Sequence, residues 1–267
     1  MTNTDAHLKP LIKWNGGKSD ELKHIIPHIP EYETYVEPFF GGGSLFFYLN
    51  RYQKKNVIND IHPDLISLYQ SIKYGYGDII YSLMAKYPND ETTYYHIRDQ
   101  FPVTNLIEQA FKFFYLRKTC YRGMLRYNKQ GKFNIPYGRY KTYNYEILKD
   151  ARYHQLLSNT DIYHSDFTEL FNKYGQDEKS FFFLDPPYDG AVFSNYGFCL
   201  FNEEKQIVLA DEFKKAKCKC LLVISETDLI QKLYSGYIVE KYEVKYRFKI
   251  TKNRVNNGAT HLMIKNY

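Results

Sequence analysis

The sequence lacks any apolar run that could cross a membrane. None of its hydrophobic stretches approaches the roughly 18 consecutive apolar residues of a membrane-spanning helix. Its first residues, MTNTDAHLKPLIKW, also lack the charged and apolar regions of a signal peptide. We therefore expect a cytoplasmic protein that is neither secreted nor bound to membranes, or one in the nucleus or a viral factory if the source is eukaryotic or viral.

Cysteines are few and unevenly placed, which argues against a disulfide framework. The four are Cys120, Cys199, Cys218 and Cys220. No C-x-x-C pair with partnering histidines is present, so the sequence predicts free thiols and no metal site.

Acidic residues are absent from one stretch, residues 109–145. The whole chain carries a formal net charge of +6, with 36 Lys and Arg against 30 Asp and Glu. In this stretch nine bases are interleaved with seven Tyr and four Phe. The nine bases are Lys112, Arg117, Lys118, Arg122, Arg126, Lys129, Lys132, Arg139 and Lys141. Such a mixture is typical of surfaces that bind phosphates and stack on bases, and a solvated basic face over an aromatic core is the alternative.

Strands are predicted where short β-branched or aromatic runs end in Gly, Pro, Asn or Asp. These runs are residues 34–40, 55–59, 160–164, 180–184 and 220–225. Most are followed by a turn and a helical pattern, which predicts βαβ units and a parallel sheet with helices on both faces. Two further runs, 237–251 and 260–267, predict an antiparallel pair joined by the polar turn KNRVNNG.

The strand pattern stops between about residues 64 and 152, where apolar residues recur at helical spacing. We expect a helical insert over residues 66–150, within a core formed by residues 1–65 and 151–267. Inside the insert, RYNKQGKFNIPYGRY has turn chemistry at 128–131, which predicts a hairpin near 126–140.

A glycine turn follows the first predicted strand in the segment YVEPFFGGGSLFFYL. Gly41 and Gly43 would let the backbone approach a ligand at the strand end where α/β sheets bind ligands. The dinucleotide pattern G-x-G-x-x-G requires a third glycine where Phe46 stands, which weakens an NAD interpretation. Asp60 follows Gly41 by about 20 residues, the spacing of an acid that hydrogen-bonds a ribose. A nucleoside cofactor without pyrophosphate fits better.

The segment KWNGGKS contains Gly17-Lys18-Ser19, which copies the end of a phosphate loop. Ile12 stands where that loop requires glycine, and little room remains for a preceding strand, so we do not expect a triphosphate site. Taken alone, Trp14 could fill the core and Lys18 could be a surface charge.

The segment DPPY follows the apolar run SFFFL. Pro186 and Pro187 fix φ and offer carbonyls without competing N–H groups, beside the carboxylate of Asp185. These oxygens can hold both N–H bonds of an exocyclic amine, whose nitrogen can then attack an electrophilic methyl group. Tyr188 would stack on a base that has left its duplex. A plain turn at the end of a strand is the alternative.

Taken together and in this order, KWNGGK, VEPFFGGGS, IND, RYNKQGKFNIPYGRY and DPPY resemble the Dam-type, GATC-class family of DNA adenine-N6 methyltransferases with the alpha order of motifs. The likeness extends from about residue 8 to the last predicted strand. It implies an α/β fold: a Rossmann-like, S-adenosylmethionine-dependent methyltransferase core with a mostly parallel sheet and an antiparallel last strand, carrying a helical target-recognition insert. It also implies methylation of adenine N6 in duplex DNA, in GATC or a close variant, by base flipping and without a metal.

The resemblance implies a role for each matching position. The catalytic residues would be Asp185, Pro186, Pro187 and Tyr188. The cofactor S-adenosylmethionine would be bound by Trp14, Gly17, Lys18, Glu37, Pro38, Phe39, Gly41, Gly43, Asp60, Ile61, Asp166, Phe167 and Asp185. DNA would be bound by Lys13, Arg122, Met124, Arg126, Asn128, Pro136, Arg139 and Tyr140. Arg126 matches the arginine that reads a guanine, which suits a guanidinium that can bond O6 and N7 together.

Two positions depart from the family pattern: Met124, where many relatives have leucine, and Glu226 in SETD, where Ser-Asn-x-Asp is common. A further basic cluster lies on the predicted last hairpin, where it could grip phosphate or keep an edge strand unpaired. Its members are Lys245, Arg247, Lys249, Lys252 and Arg254.

Three other functions remain open at this stage. An amino methyltransferase could act on cytosine N4 or on RNA, and a catalytically silent relative could only occupy DNA. We expect double-stranded DNA as the partner of a monomer, with a cognate restriction endonuclease as a candidate second partner.

Overall fold

A computed structural model describes residues 7–189, 201–245 and 258–267, and its strands form one mixed sheet. The strands are β1 Thr34–Glu37, β2 Lys55–Asn59, β3 Thr160–Tyr163, β4 Ser180–Leu184, β5 Lys219–Ser225, β6 Ile238–Lys245 and β7 Gly258–Lys265. Their order in the sheet is β3-β2-β1-β4-β5-β7-β6. The β1–β4, β2–β3 and β4–β5 pairs are parallel, and β7 is antiparallel to both its neighbours. The predicted Rossmann-like fold class is confirmed.

Ten α-helices connect these strands in the described residues. They are α1 Leu22–Ile25, α2 Ser44–Leu49, α3 Pro63–Lys73, α4 Gly77–Lys86, α5 Glu91–Asp99, α6 Leu106–Thr119, α7 Ala151–Ser158, α8 Thr168–Tyr174, α9 Glu203–Lys215 and α10 Asp228–Leu233. Asp90, Asn105 and Asn202 begin α5, α6 and α9, because their side-chain oxygens accept hydrogen bonds from backbone N–H groups of the first turn.

Apolar runs determine most strand positions. The runs predicted at 55–59 and 180–184 coincide with β2 and β4, and all of β4 is buried, as expected of a central parallel strand. The run predicted at 34–40 ends earlier, because β1 stops at Glu37 and Pro38 has no N–H for the ladder. Residues 246–257 of the predicted last hairpin lie outside the described residues. The predicted basic cluster lies outside them too, since it consists of the Lys245 side chain, Arg247, Lys249, Lys252 and Arg254.

The described chain divides into two compact units. The first unit comprises residues 7–19 and 40–165, and contains β2, β3 and the helices from α2 to α7. The second unit comprises residues 20–39, 166–189, 201–245 and 258–267, and contains the other strands and helices. The functional division into a core and an insert at 66–150 stays a prediction.

Rings dominate the core of the first unit around α2 and α3. The Phe40 ring packs edge-on against Tyr69, with 4.8 Å between centroids, and against Phe46 at 5.3 Å. Phe47 contacts Tyr69 and Tyr153. This aromatic core buries the face of α2 that follows the glycine turn, and it thereby fixes the turn.

Three properties of the described residues bear on the class of protein. None of their helices combines the length and apolarity that a membrane crossing needs. Cys120, Cys218 and Cys220 are buried free thiols, while Cys199 lies outside the described residues. Within the same residues no group of His, Cys, Asp or Glu is arranged to hold a metal ion.

Candidate functional site

The glycine turn of the first unit lies directly against aromatic rings. A Cβ atom on Gly41 would come within 2.6 Å of Cδ1 and Nε1 of Trp14, and Gly41 has a φ of +50°. A Cβ atom on Gly43 would come within 2.4 Å of Cζ of Phe40, at a φ of +66°. Only glycine meets both conditions, because L side chains are strained at positive φ and no space is available.

Asp60 ties this turn to the end of β2. Its Oδ2 accepts a hydrogen bond from the peptide N–H of Gly41 at 2.8 Å, and its Oδ1 accepts one from the peptide N–H of His62 at 2.9 Å. The residue is buried, with 8% of its surface exposed. Burial raises the pKa of Asp60 to about 6, although these N–H donors oppose the rise. Each carboxylate oxygen has further lone pairs that could accept ribose hydroxyls.

Lys18 and Trp14 lie in the same unit. The Lys18 side chain is 1% exposed, and its ammonium donates to the carbonyl of Gly16 at 2.9 Å, so Lys18 is not a surface charge. Trp14 is half-buried and its carbonyl accepts from the N–H of Gly17 at 3.2 Å. Ile61 is also half-buried, and its carbonyl accepts from Nε2 of His164 at 3.1 Å.

The remaining predicted cofactor residues and all four predicted catalytic residues belong to the second unit. There, Val36 of β1 pairs with Phe182 of β4, so Glu37 and Asp185 stand at the carboxyl ends of neighbouring parallel strands. The strand order reverses between β1 and β4, which is the point where open α/β sheets bind ligands. Glu37 is buried and accepts a hydrogen bond from the Tyr35 hydroxyl at 2.7 Å.

The DPPY segment is held from α9. The side chain of Gln206 is fully buried and donates from Nε2 to the carbonyl of Pro187 at 2.8 Å. Pro186 is buried, whereas Asp185 and Tyr188 are half-buried. Gln206 therefore holds the carbonyl of Pro187 and with it this part of the loop.

A buried polar cluster lies behind Tyr188. Its ring meets the ring of His261 nearly at right angles, with 5.2 Å between centroids. Nδ1 of His261 donates to Oε2 of Glu21 at 2.7 Å, and the hydroxyl of Tyr242 donates to the same oxygen at 2.8 Å. Burial and the neighbouring Glu21 raise the pKa of Tyr242, so its hydroxyl stays protonated as a donor. These contacts restrict the positions that the Tyr188 ring can take.

Three phenylalanines meet in the second unit. The ring of Phe39 packs on those of Phe167 and Phe201, with centroid distances of 5.2 and 5.5 Å. Next to them, Oδ2 of Asp166 pairs with Nζ of Lys205 at 2.7 Å. Partial burial acts to raise the pKa of Asp166, but the hydrogen bonds from Lys205 and Thr168 outweigh it and hold the pKa below its usual value. The Asp166 carboxyl group is therefore ionised at neutral pH and can accept hydrogen bonds.

Several residues that the sequence did not single out contact predicted site residues of the second unit; among them are Phe201, Lys205, Gln206 and His261. The pattern NEEKQIV predicts a helix beginning near Asn202, in the position of the helix that follows β4. A signal for Lys205 and Gln206 was therefore present, and Phe201 precedes that helix. His261 had none, because its partners Glu21 and Tyr188 are far away in sequence.

The predicted hairpin of the first unit is a short antiparallel loop. Tyr127 and Phe133 form a single bridge, as do Cys120 and Tyr137. Oδ1 of Asn128 accepts from two backbone N–H groups of the turn, at 2.9 and 3.0 Å. The side-chain oxygen of Asn128 thus shapes the turn, and only its amide N–H groups could contact DNA.

Arginines in this segment are exposed and oriented by neighbours. Nε of Arg126 donates to Oδ1 of Asn134 at 2.8 Å and its Nη2 donates to the carbonyl of Asn134 at 3.4 Å, so Asn134 orients this exposed guanidinium. Arg139 pairs with Glu91 at 3.2 Å, and both side chains are more than half exposed. Such a surface pair contributes little to stability, so Arg139 could exchange Glu91 for a phosphate at small cost.

The other predicted DNA contacts also lie in the first unit. Lys13 is exposed and lies next to the segment, since a Cβ atom on Gly123 would be 3.5 Å from its Cδ. Arg122 is exposed and its guanidinium carbon lies 5.1 Å from the centroid of the Tyr121 ring. Met124 is half-buried, and Pro136 and Tyr140 are exposed. All eight predicted DNA-contact residues therefore belong to one compact unit.

The fold and the DPPY loop at its switch point define the class of protein: a methyltransferase with a Rossmann-like sheet. Over residues 14–250 the chain matches the family described as D12 class N6 adenine-specific DNA methyltransferase, and it belongs to that family. The resemblance to Dam-type enzymes is thereby confirmed, and the chain is a DNA adenine-N6 methyltransferase. The family speaks against cytosine N4 and RNA as targets.

Curated relatives agree with this assignment. The chain is 47% identical over 263 residues to the Type II methyltransferase M.CviBI of Paramecium bursaria Chlorella virus NC1A, with 97% of this chain and 100% of the relative covered. It is 34% identical over 291 residues to the Type II methyltransferase M.MjaIII of Methanocaldococcus jannaschii, with 97% and 99% covered. It is 32% identical over 211 residues to the DNA adenine methylase of Escherichia coli K12, with 76% and 74% covered.

Proposed function

We propose that the protein transfers a methyl group from S-adenosylmethionine to adenine N6 in duplex DNA, within GATC or a close variant, after the adenine has left the duplex. The observation that carries the proposal is the DPPY loop, which follows β4 at the point where the strand order of the sheet reverses. A loop there offers a carboxylate and a proline carbonyl to a ligand.

The cofactor would be held by residues whose chemistry fits a nucleoside. Gly41 has no room for a side chain because the Trp14 ring lies directly against it, so two predicted cofactor residues are in contact at the glycine turn. Asp60 offers carboxylate oxygens to ribose hydroxyls, and Phe39 and Phe167 offer apolar faces to an adenine ring. When bound, S-adenosylmethionine supplies an electrophilic methyl group on a sulfonium.

The target amine would be held by Asp185 and the carbonyl of Pro186. Each would accept a hydrogen bond from one N–H of adenine N6, so that the nitrogen lone pair is directed away from the ring and can attack the methyl carbon as the carbon–sulfur bond breaks, with S-adenosylhomocysteine as the leaving group. After transfer, the nitrogen releases one proton toward the Asp185 carboxylate. Tyr188, restricted by His261, would stack on the flipped adenine.

Residues 66–150 would read the sequence, with Arg126 contacting a guanine. The basic residues of this segment would neutralise phosphates, which gives affinity without selecting sequence. We expect a monomer, with a cognate restriction endonuclease as a candidate partner.

The test is nucleoside mass spectrometry after incubation with S-adenosylmethionine and duplex DNA. One duplex contains GATC, a second has those bases shuffled, and a further set has single base pairs changed or inserted. We expect N6-methyladenine in the GATC duplex or in one close variant only. Product in every duplex would refute site recognition, and no product in any duplex, despite cofactor binding, would refute the proposed substrate.

Replacing Arg126 with alanine should relax the choice of one base pair. The loss is expected to be about 1 to 3 kcal/mol at that position, because a guanidinium donates two hydrogen bonds to guanine. Methylation rates on the single-substitution duplexes measure it. The control is Lys129→Ala, which removes an exposed basic side chain of the same turn. It should lower the methylation rate on all duplexes by the same factor. If Arg126→Ala also lowers the methylation rate on all duplexes by the same factor, Arg126 contacts a phosphate and not a guanine.

Cofactor binding should depend on pH through Asp60. Ribose hydroxyls favour its carboxylate form, and the pKa of Asp60 is about 6, so acidification should weaken binding. We expect the Kd for S-adenosylhomocysteine to be constant above pH 7 and to rise by up to about tenfold per pH unit below 6. Calorimetry between pH 5 and 8 measures it. Asp60→Asn should bind weakly at every pH, and a wild-type Kd that does not change over this range contradicts the role.

A further inference from the structure

Tyr127 of the hairpin makes hydrogen bonds far from its own segment, all within the first unit. Its hydroxyl lies 2.9 Å from Nε2 of His62 and 3.2 Å from Oδ2 of Asp64, at the start of α3. Its ring packs on Phe133, which also forms the backbone bridge that closes the hairpin turn. Tyr127 directly follows Arg126, so the residue expected to read DNA is one peptide bond away from this anchor.

The hydrogen bonds of this anchor have one consistent direction. Nδ1 of His62 accepts from the N–H of Leu65 at 3.3 Å, as the N-cap of α3, so the ring proton must be on Nε2. Burial lowers the pKa of His62 to about 4, so the imidazole is neutral at pH 7. Nε2–H therefore donates to the Tyr127 oxygen, and the Tyr127 O–H donates to Asp64. Gln109 donates to the other oxygen of Asp64 at 2.9 Å.

His62 also contacts two residues expected to bind the cofactor. Its peptide N–H donates to Oδ1 of Asp60 at 2.9 Å, and Oδ2 of Asp60 accepts from Gly41. Its ring meets the Trp14 ring at 81°, with 5.7 Å between centroids. A fully buried side chain thus lies between the hairpin on one side and the residues Trp14 and Asp60 on the other.

We propose that Tyr127 is a positioning residue that couples cofactor binding to DNA recognition through His62. A ligand on Asp60 and Trp14 would fix His62, and His62 would fix the hydroxyl of Tyr127 and with it the hairpin that carries Arg126. Because coupling is reciprocal, cognate DNA raises cofactor affinity by the same factor that the cofactor raises DNA affinity. The inference rests on the proposed function, since it requires that both ligands bind.

The experiment measures the Kd of a GATC duplex by fluorescence anisotropy, with and without saturating S-adenosylhomocysteine. The ratio of the two Kd values is the coupling factor, for which about 5 to 150 is typical of coupled sites. Tyr127→Phe removes the hydroxyl and keeps the ring on Phe133. We expect its coupling factor to fall to within about twofold of 1, while its Kd for S-adenosylhomocysteine alone stays within about threefold of the wild-type value.

Matched variants separate coupling from general damage. Tyr137→Phe removes another hydroxyl of the same segment, one that donates to the carbonyl of Asn89 at 2.6 Å, and should keep the wild-type coupling factor. His62→Asn retains an N-cap oxygen but is too short to reach Tyr127, so it should lose coupling as Tyr127→Phe does.

Two results would overturn the inference. The first is a wild-type coupling factor in Tyr127→Phe, including the case in which DNA binding weakens equally with and without the cofactor product. The second is a coupling factor of 1 in the wild-type protein while it still methylates DNA. A wild-type protein that binds neither S-adenosylhomocysteine nor the duplex would instead refute the proposed function, and the inference with it.

Discussion

Asp185→Asn should slow methylation by about 10³-fold or more while the protein stays folded. The substitution keeps the shape of the side chain, but it replaces one acceptor oxygen with an NH₂ group that opposes the N–H bonds of the target amine. It also removes the negative charge that stabilises the amine as it becomes positive. Single-turnover rates, with saturating S-adenosylmethionine and protein in excess over the duplex, measure the chemical step.

The control for this prediction is Asp189→Asn, which removes a half-buried carboxylate four residues further on and should keep most of the activity. Circular dichroism and thermal melting should be alike for both variants and the wild type. If Asp185→Asn retains more than about a tenth of the wild-type rate, its carboxylate does not act on the target amine, and a proline carbonyl alone would have to hold it.

The strands predicted most accurately from the sequence are those buried within the parallel part of the sheet. SFFFL and KNVIN are continuous runs within a parallel sheet, so burial alone identifies β4 and β2. β1 was predicted too long because Phe39 and Phe40 continue the apolar run. Both rings pack on other aromatic rings after the chain has left the sheet, and hydrophobicity cannot distinguish these two ways of being buried.

Motif residues of the site could be named from the sequence, but the contacts that position them could not. Asp185 and Asp60 belong to local patterns, a strand end and a spacing from a glycine turn. Gln206 and His261 act on the DPPY loop from elements that follow it along the chain, and only the folded structure brings them to it. Likewise, Tyr127 and His62 are 65 residues apart in the sequence, and hydrophobic periodicity cannot predict a hydrogen bond between residues so far apart.

Gly43→Ala should lower the free energy of unfolding by about 2 to 5 kcal/mol. A φ of +66° costs an L residue about 1 to 2 kcal/mol. The added methyl would also meet Cζ of Phe40 at 2.4 Å, and Phe40 cannot yield because Tyr69 and Phe46 pack around it. Urea denaturation followed by fluorescence measures the change.

Gly131→Ala isolates the backbone part of this effect. Gly131 has a similar φ of +72°, but a Cβ atom there would have no heavy atom within 4 Å. We expect it to lose only about 1 to 2 kcal/mol, so the difference between the two variants reports the packing of the glycine turn. Equal losses would mean that the Phe40 ring can move aside. The cost of a side chain at Gly43 would then come from its positive φ alone, as it does at Gly131, and the packing of Phe40 would add nothing to it.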